Sequence, residues 1–291
     1  MGHADPSEAL ERKQSVAGIF HRASPTYDHV GPHFFAHFGQ QLVKHAAPAL
    51  NAHALDVACG RGAVLFPATE AVGVNGSVIG IDLAEGMVQE TSREATGRGL
   101  MNVKVLQMDA EHLDFQDAEF DVILCGFALF FFPQLERGLA EFRRVLKPGG
   151  RIAVSTWGDK FDKDWEWVTT LAQKYLPSPQ KEEQSSISSN EPVFDTPKGI
   201  KRIIEVAGFG NVQVFSEAAD FMYATREEYW ESLWSHGGRA RLERIEEHGG
   251  PEALAQFKRE WSEQMEARKG IKDLRQSFQV LYTLGTKPAE S

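Results

Sequence analysis

Three aspartates and two closely spaced glycines are the residues of this chain whose types and spacing favour ligand chemistry. Asp56 lies in an apolar run that leads into the turn containing Gly60 and Gly62, while Asp82 and Asp109 each end a later apolar segment. A glycine turn between a strand and a helix lets the backbone approach a ligand closely, because glycine has no Cβ. The start of the following helix adds free N–H groups and a partial positive charge. This pattern predicts a nucleotide site and leaves the kind of nucleotide open.

The elements that must position these residues alternate regularly in the first half of the chain. We predict strands over 54–58, 77–82, 103–109, 120–126 and 151–157. Helices are expected over 63–71, 85–97 and 133–146. Such alternation is typical of a parallel, doubly wound α/β sheet. The three aspartates therefore belong to the first three strands of this sheet.

Helical patterns flank the alternating region on both sides. Before it, helices are predicted over 7–22 and 32–47. After it, the sequence becomes irregular over 158–196, with an exposed loop expected at 180–190. The remaining chain predicts a helix over 196–208, strands over 212–215 and 220–223, helical sequence over 226–268 and a last strand over 275–285.

Composition and charge restrict the class of partner and the compartment. The chain of 291 residues has 31 basic and 41 acidic side chains, a net charge of −10, which disfavours a partner held mainly by phosphate contacts. No apolar run reaches the roughly 18 residues of a membrane span, and no basic segment followed by an apolar core precedes the first helix. The two cysteines do not suggest a disulfide framework. We therefore expect a cytoplasmic protein that binds neither nucleic acid nor membrane.

The glycine turn alone would also suit a dinucleotide. That fingerprint requires a third glycine at position 65, where this chain has Leu65. A nicotinamide-dependent dehydrogenase is therefore disfavoured.

Five sequence motifs, taken in order, resemble those of the class I S-adenosylmethionine-dependent methyltransferases, in the group that includes the ubiquinone and menaquinone biosynthesis enzymes. The matching stretches are 55–62 (LDVACGRG), 80–87 (GIDLAEGM), 107–111 (QMDAE), 120–124 (FDVIL) and 142–151 (FRRVLKPGGR). The resemblance covers about 50–157, and the family's last helix and strands map onto 196–223 and 275–284. It implies a mostly parallel seven-stranded sheet of the Rossmann-like methyltransferase type, with S-adenosylmethionine as cofactor.

The resemblance also implies roles for individual residues. In this family the acid at Asp56 helps to hold the ammonium group of the cofactor, and Asp82 accepts hydrogen bonds from the ribose hydroxyls. Asp109 and Ala110 would read the adenine. The other residues expected at the cofactor are Tyr27, Ala58, Gly60, Gly62, Leu83, Met87 and Cys125. Helix capping is the alternative use for Asp56 and Asp82, since aspartate is common at such turns.

Aromatic residues outside the sheet suggest an apolar acceptor. No Asp/Asn-Pro-Pro-Tyr motif follows the fourth strand, which disfavours methylation of an amide or exocyclic amine. We expect the substrate to be lined by Phe20, Phe127, Phe130, Trp157 and Tyr223. An acidic protein with such a pocket favours a hydrophobic small molecule that resembles a quinone, a polyketide, an indole or a terpene.

Three histidines recur every four residues before and within the second predicted helix: His29, His33 and His37. This spacing predicts one stripe of a helix. His33 or His37 is the candidate base for an acceptor that must lose a proton. We expect no metal, because the sequence between them lacks the acid of known metal-binding helices.

These observations predict transfer of a methyl group by in-line displacement. The alternatives are a cofactor-binding protein of the same fold that acts as a cyclase or regulator, and a methyltransferase for macromolecules. The exposed first helix is compatible with a homo-oligomer. The expected organisation is a helical lid (1–50), a cofactor-binding core (51–157), an irregular cap insertion (158–195), the rest of the core sheet (196–223 and 272–291) and a helical cap insertion (224–271).

Overall fold

A single seven-stranded sheet runs through the computed structural model, which describes residues 6–159, 165–177, 193–267 and 274–289. Its strands are β1 (His53–Val57), β2 (Ser77–Asp82), β3 (Val103–Gln107), β4 (Phe120–Gly126), β5 (Leu146–Trp157), β6 (Gly210–Met222) and β7 (Arg275–Thr286). The order is β3-β2-β1-β4-β5-β7-β6, with β1 to β5 parallel and β7 antiparallel to both neighbours. The predicted fold class is confirmed. The strand order reverses between β1 and β4, so the ligand crevice is expected at their carboxyl ends.

Helices cover both faces of the sheet. They are α1 (Pro6–Ala23), α2 (Phe34–Ala46), α3 (Leu65–Val72), α4 (Glu85–Gly97), α5 (Leu135–Val145), α6 (Glu166–Gln173), α7 (Pro197–Val206), α8 (Arg226–Trp234) and α9 (Arg239–Ala267). Buried side chains of α2 and α3 pack on one face, and those of α5 and α7 pack on the other. The interior of β4 is almost wholly apolar because both of its faces are covered. Within the described ranges, no helix is both long and apolar enough to cross a membrane.

The structure corrects three details of the predicted elements. Strand β6 is continuous where two short strands were predicted. It pairs with β7 from Gln213 to Met222, and these backbone hydrogen bonds keep the polar segment between the two predicted strands extended. Strand β5 begins at Leu146, before the predicted start. The segment predicted to be irregular contains helix α6. The predicted loop at 180–190 lies outside the described residues.

A third apolar cluster lies away from the sheet and joins the two segments predicted as cap insertions. Trp167 and Leu171 of α6 are buried together with Trp230 of α8 and with Phe257 and Trp261 of α9. The two segments therefore pack on each other.

Candidate active site

Two cavities meet above the carboxyl ends of β1 and β4. The smaller has a volume of about 120 Å³ and lies between α1 and the ends of β2 and β3. The larger has a volume of about 500 Å³ and lies among α2, α3, α4 and the glycine turn. Five residues line both of them: Tyr27, Ala58, Gly60, Gly126 and Phe127. The glycine turn is therefore the floor where the two cavities join.

Backbone geometry explains the residue types of this turn. Ala58, Gly60 and Gly62 have φ angles of 54°, 50° and 83°, in the left-handed region that favours glycine. A Cβ on Gly62 would lie 2.3 Å from the Phe66 ring, whereas one on Gly60 would meet only the Tyr27 ring, at 4.0 Å. The space beside Gly60 is therefore open to a ligand.

Asp82 ends β2 and holds the turn from the side of the smaller cavity. Its Oδ2 accepts a hydrogen bond from the Gly60 N–H at 2.9 Å, and its Oδ1 accepts one from the Ala84 N–H at 2.9 Å. Burial raises the pKa of Asp82 to about 6, although these N–H groups oppose the shift. Each carboxylate oxygen keeps a further lone pair. Asp82 can therefore accept two more donors, such as vicinal hydroxyls.

Asp56 differs from Asp82 in its hydrogen bonding, although the Leu65 N–H lies near enough to oppose the rise in its pKa. Its side chain is fully buried, lines the larger cavity, and neither oxygen accepts a hydrogen bond of normal geometry from the described residues. Burial, together with repulsion from Asp82, raises the pKa of Asp56 well above its ordinary value. A buried carboxylate without partners is costly unless a cation binds beside it. Neither Asp56 nor Asp82 caps a helix, so the capping alternative is wrong.

The side chain of Asp109 is already paired. Its Oδ2 accepts a hydrogen bond from Lys13 Nζ at 2.7 Å, and its Oδ1 accepts one from the Glu111 N–H at 2.9 Å. Burial alone would raise the pKa of Asp109, but the ion pair with Lys13 brings it below its ordinary value. The predicted neighbours Leu83, Met87 and Ala110 also line the smaller cavity. Lys13 was missed by the sequence analysis, although its spacing with Val16, Ala17 and Phe20 is that of one helix face.

Tyr27 separates the two cavities. Its ring stacks on Phe35 with a centroid distance of 5.3 Å and meets Phe20 edge-on at 5.9 Å. Burial raises the pKa of its hydroxyl, so it stays protonated. Tyr27, predicted to lie at the cofactor, and Phe20, predicted to lie at the substrate, both line the smaller cavity.

Four predicted site residues do not reach either cavity. Cys125 is buried in the core, because strand alternation turns its side chain away and brings Gly126 to the cavities instead. Phe130 packs on Phe131 at 4.7 Å, and Trp157 packs behind Phe127 at 4.3 Å. Tyr223 is buried in the cap cluster. Of the five predicted substrate residues, only Phe20 and Phe127 line a cavity.

The predicted helical stripe of histidines is wrong. Helix α2 begins at Phe34, and His33 precedes it with a φ of 51°, so only His37 belongs to the helix. All three of His29, His33 and His37 nevertheless line the larger cavity. His33 Nδ1 contacts the Asp28 carbonyl oxygen, and His37 Nε2 lies 2.7 Å from Glu217 Oε1. Among the described residues, no group of three or more His, Cys, Asp or Glu side chains is arranged to hold a metal.

The chemistry of these residues fits a nucleoside that carries a cation. Asp82 retains capacity for ribose hydroxyls, and Asp56 presents two unpartnered oxygens to a positive group. Fold and site together define a cofactor-binding α/β domain. Residues 54–150 match the family described as "Methyltransferase domain".

Comparison with known proteins identifies the family. The chain is 42% identical over 144 residues to aklanonic acid methyltransferase DauC from Streptomyces sp. (strain C5), covering 50% of this chain and 66% of that relative. It is 31% identical to nocamycin O-methyltransferase from Saccharothrix syringae, over 78% of this chain and 84% of that relative. It is 32% identical to demethylmenaquinone methyltransferase from Staphylococcus aureus (strain JH9), over 70% of this chain and 88% of that relative. The chain belongs to the S-adenosylmethionine-dependent methyltransferases.

A solved structure shares the fold of this chain. The YcgJ protein from Bacillus subtilis aligns over 87% of this chain and 100% of its own length, with a TM-score of 0.58 and 20% identity. The predictions of the family, the enzyme class, the cofactor and methyl transfer to a small molecule are confirmed. The alternative of a cyclase or regulator is not favoured, because the named relatives are methyltransferases.

Proposed function

We propose that this enzyme methylates an oxygen atom of a hydrophobic small molecule, with the methyl donor spanning the junction of the two cavities. The observation that carries the proposal is that the two cavities share one floor and one wall, formed by Gly60, Gly126, Tyr27 and Phe127. Methyl transfer from a sulfonium is an in-line displacement, so the enzyme must mainly align donor and acceptor and exclude water. A junction between two cavities supplies that alignment.

In this proposal the nucleoside of S-adenosylmethionine occupies the smaller cavity. Asp82 would hold the ribose, and Met87 and Leu83 would flank the adenine. Asp56 would hold the ammonium group on the side of the junction that belongs to the larger cavity. When bound, the cofactor supplies an electrophilic methyl group. Tyr27 and Phe127 would exclude water from the junction, since both contribute apolar rings there.

The larger cavity is the proposed acceptor site. Its volume of about 500 Å³ lies within the usual range for ligand pockets, about 300–1,000 Å³. The rings of Phe35, Phe66 and Phe127 line it together with many polar and charged side chains: Asp28, His29, His33, His37, Gln40, Asp56, Arg61, Glu70, Glu94 and Arg98. A relative named as an O-methyltransferase supports oxygen as the acceptor atom. Quinone-like and polyketide-like phenols or enols are the compounds to test first.

His37 is the proposed base for an acceptor hydroxyl. Of the three histidines at the larger cavity, it is the one whose ring lies against a carboxylate, with Nε2 2.7 Å from Glu217 Oε1. The other oxygen of Glu217 accepts a hydrogen bond from the Tyr282 hydroxyl at 2.5 Å, and Tyr282 is fully buried. Glu217 would thus be a positioning residue that orients the imidazole of His37.

A transfer assay with methyl-labelled S-adenosylmethionine tests the proposal. We expect labelled product with hydroxylated hydrophobic compounds, and the H37A variant should lower kcat by about 100-fold or more. E217Q should lower kcat less than H37A does, with little effect on KM. H248A, at an exposed position of α9, is the matched control. Labelling only of tRNA or protein would contradict the acceptor assignment.

We infer that the reaction takes place in the cytoplasm. Both cysteines, Cys59 and Cys125, are buried and free, as is usual in a reducing compartment. Small-molecule substrates of this kind do not require a basic surface, which agrees with the net charge of −10.

A further inference from the structure

One face of helix α1, which includes the cationic side chain of Lys13, forms a wall of the smaller cavity. The residues of this face are Lys13, Val16, Ala17 and Phe20, and all of them line the cavity. Lys13 Nζ lies 2.7 Å from Asp109 Oδ2 and also contacts the carboxylate of Glu111. The side chain of Glu111 is only 1% exposed, and its other oxygen, Oε1, accepts a hydrogen bond from the Gln134 N–H at 2.6 Å. Lys13 therefore bridges two carboxylates at the cavity wall.

The smaller cavity is too small for a nucleoside with α1 in this position. Its volume is about 120 Å³, whereas ligand pockets usually measure about 300–1,000 Å³. The carboxyl end of α1 and the turn after it are fixed. The His21 ring accepts a hydrogen bond from the Gly86 N–H at 3.1 Å, and Arg61 donates to the Ser24 carbonyl at 2.6 Å. The amino-terminal half, which carries Lys13, is therefore the part of α1 that can move outwards.

We propose that Lys13 is a positioning residue that competes with the adenine amine of the cofactor for Asp109 and so sets how strongly the enzyme distinguishes adenine from other bases. The proposal rests on the cofactor placement described under Proposed function. Asp109 Oδ2 already has two partners, Lys13 Nζ at 2.7 Å and the His112 ring nitrogen Nδ1 at 3.2 Å, so both of its lone pairs are in use. Asp109 Oδ1 accepts a hydrogen bond from the Glu111 N–H. An amine that donates to Oδ2 from the smaller cavity must displace Lys13, which is the partner that lines this cavity and which then keeps Glu111.

The chemistry of the base makes this competition measurable. The 6-amino group of adenine is a donor and can donate to Asp109 Oδ2 only if Lys13 leaves that oxygen. A 6-oxygen, as in hypoxanthine, is an acceptor that Lys13 can serve and that the Asp109 carboxylate repels. Lys13 should therefore weaken the preference for adenine, and its removal should strengthen that preference.

The test compares S-adenosylhomocysteine with S-inosylhomocysteine, which carries a 6-oxygen in place of the amine. Isothermal titration calorimetry gives the ratio of the two dissociation constants for wild type, K13M, K13R and R12M. We expect the ratio to rise about tenfold in K13M, equal to 1.4 kcal/mol. K13R keeps a cation between the carboxylates and should retain the wild-type ratio. R12M removes an adjacent, exposed charge of α1 and should also retain it.

An equal ratio in wild type and K13M, with both proteins binding S-adenosylhomocysteine, would overturn the proposal. If K13M does not give a native circular dichroism spectrum, K13Q is measured in its place with the same expected result. The assay needs no acceptor, so an enzyme that binds S-adenosylhomocysteine yet fails to methylate the acceptors contradicts the proposed function and not the role of Lys13.

Discussion

Replacing Asp56 with Asn should stabilise the free protein and weaken cofactor binding at the same time. Asp56 is fully buried, and neither of its oxygens has a hydrogen-bond partner among the described residues. Asn keeps the size of the side chain and removes the charge. A residue that served only the fold would lose stability and binding together, so the opposite signs are specific to a site that is prepared for a cation.

The stability gain has a definite size and pH dependence. A buried group without partners costs about 1–3 kcal/mol, and more when charged. Because the Asn amide is also buried there, we expect a net gain of about 1 kcal/mol, or roughly 2–4 °C in the melting temperature. The pKa of Asp56 is raised above its ordinary value of 3.8. Asp56 therefore lowers the free energy of unfolding only as the pH rises above that value. The gain should therefore disappear below about pH 4.

The loss of affinity follows from the charge of the ligand. A hydrogen bond to a charged group contributes about 1.5–3 kcal/mol, which corresponds to roughly 10–150-fold in the dissociation constant for S-adenosylmethionine. Burial raises the pKa of Asp56 and an ammonium group beside it favours the charged form, so binding should release protons in wild type to a greater extent than in D56N.

Thermal unfolding across pH and calorimetry in buffers of different ionisation enthalpy measure both effects. D121N is the matched control, because Asp121 lies at the opposite end of β4 and pairs with Lys147 at 2.7 Å. It should lower stability slightly and leave affinity unchanged. A D56N protein that melts below wild type at pH 7, or that binds S-adenosylmethionine as tightly, would refute the reasoning.

The remaining predictions concern three other positions. D82N should weaken S-adenosylmethionine binding by about 1.5–3 kcal/mol. The affinity of the wild type should fall as the pH drops below about 6, because protonation of Asp82 removes a hydrogen-bond acceptor. An affinity that calorimetry finds independent of pH would contradict this. G39A should lower the free energy of unfolding by about 3 kcal/mol, because the new Cβ would lie 2.2 Å from the Ala63 carbonyl oxygen; denaturant titration measures it. Burial lowers the pKa of His236 from 6.5 to about 4, so wild type should lose stability relative to H236F as the pH falls from 6.5 to about 4; melting curves that stay parallel would exclude the effect.

The sequence by itself determined the core of the fold and the cofactor. Alternating apolar strands and helices dictate a parallel sheet because each strand must be covered on both faces. The turn at Gly60, the acid at Asp82 and the order of the motifs are local features, separated by short elements of regular geometry. For this reason β2 and α4 were predicted with the bounds that the structure has.

Only the tertiary structure decided which side chains surround the ligand. Lys13 meets Asp109 across 96 positions of sequence, and His37 meets Glu217 across 180, so no local pattern could pair them. Cys125 is adjacent in sequence to a cavity residue, but the strand turns its side chain into the core. Periodicity reports which residues share a face of one element. The packing of α1 and α2 against distant strands depends on how the whole chain buries its apolar side chains. That packing determines which side chains line the two cavities.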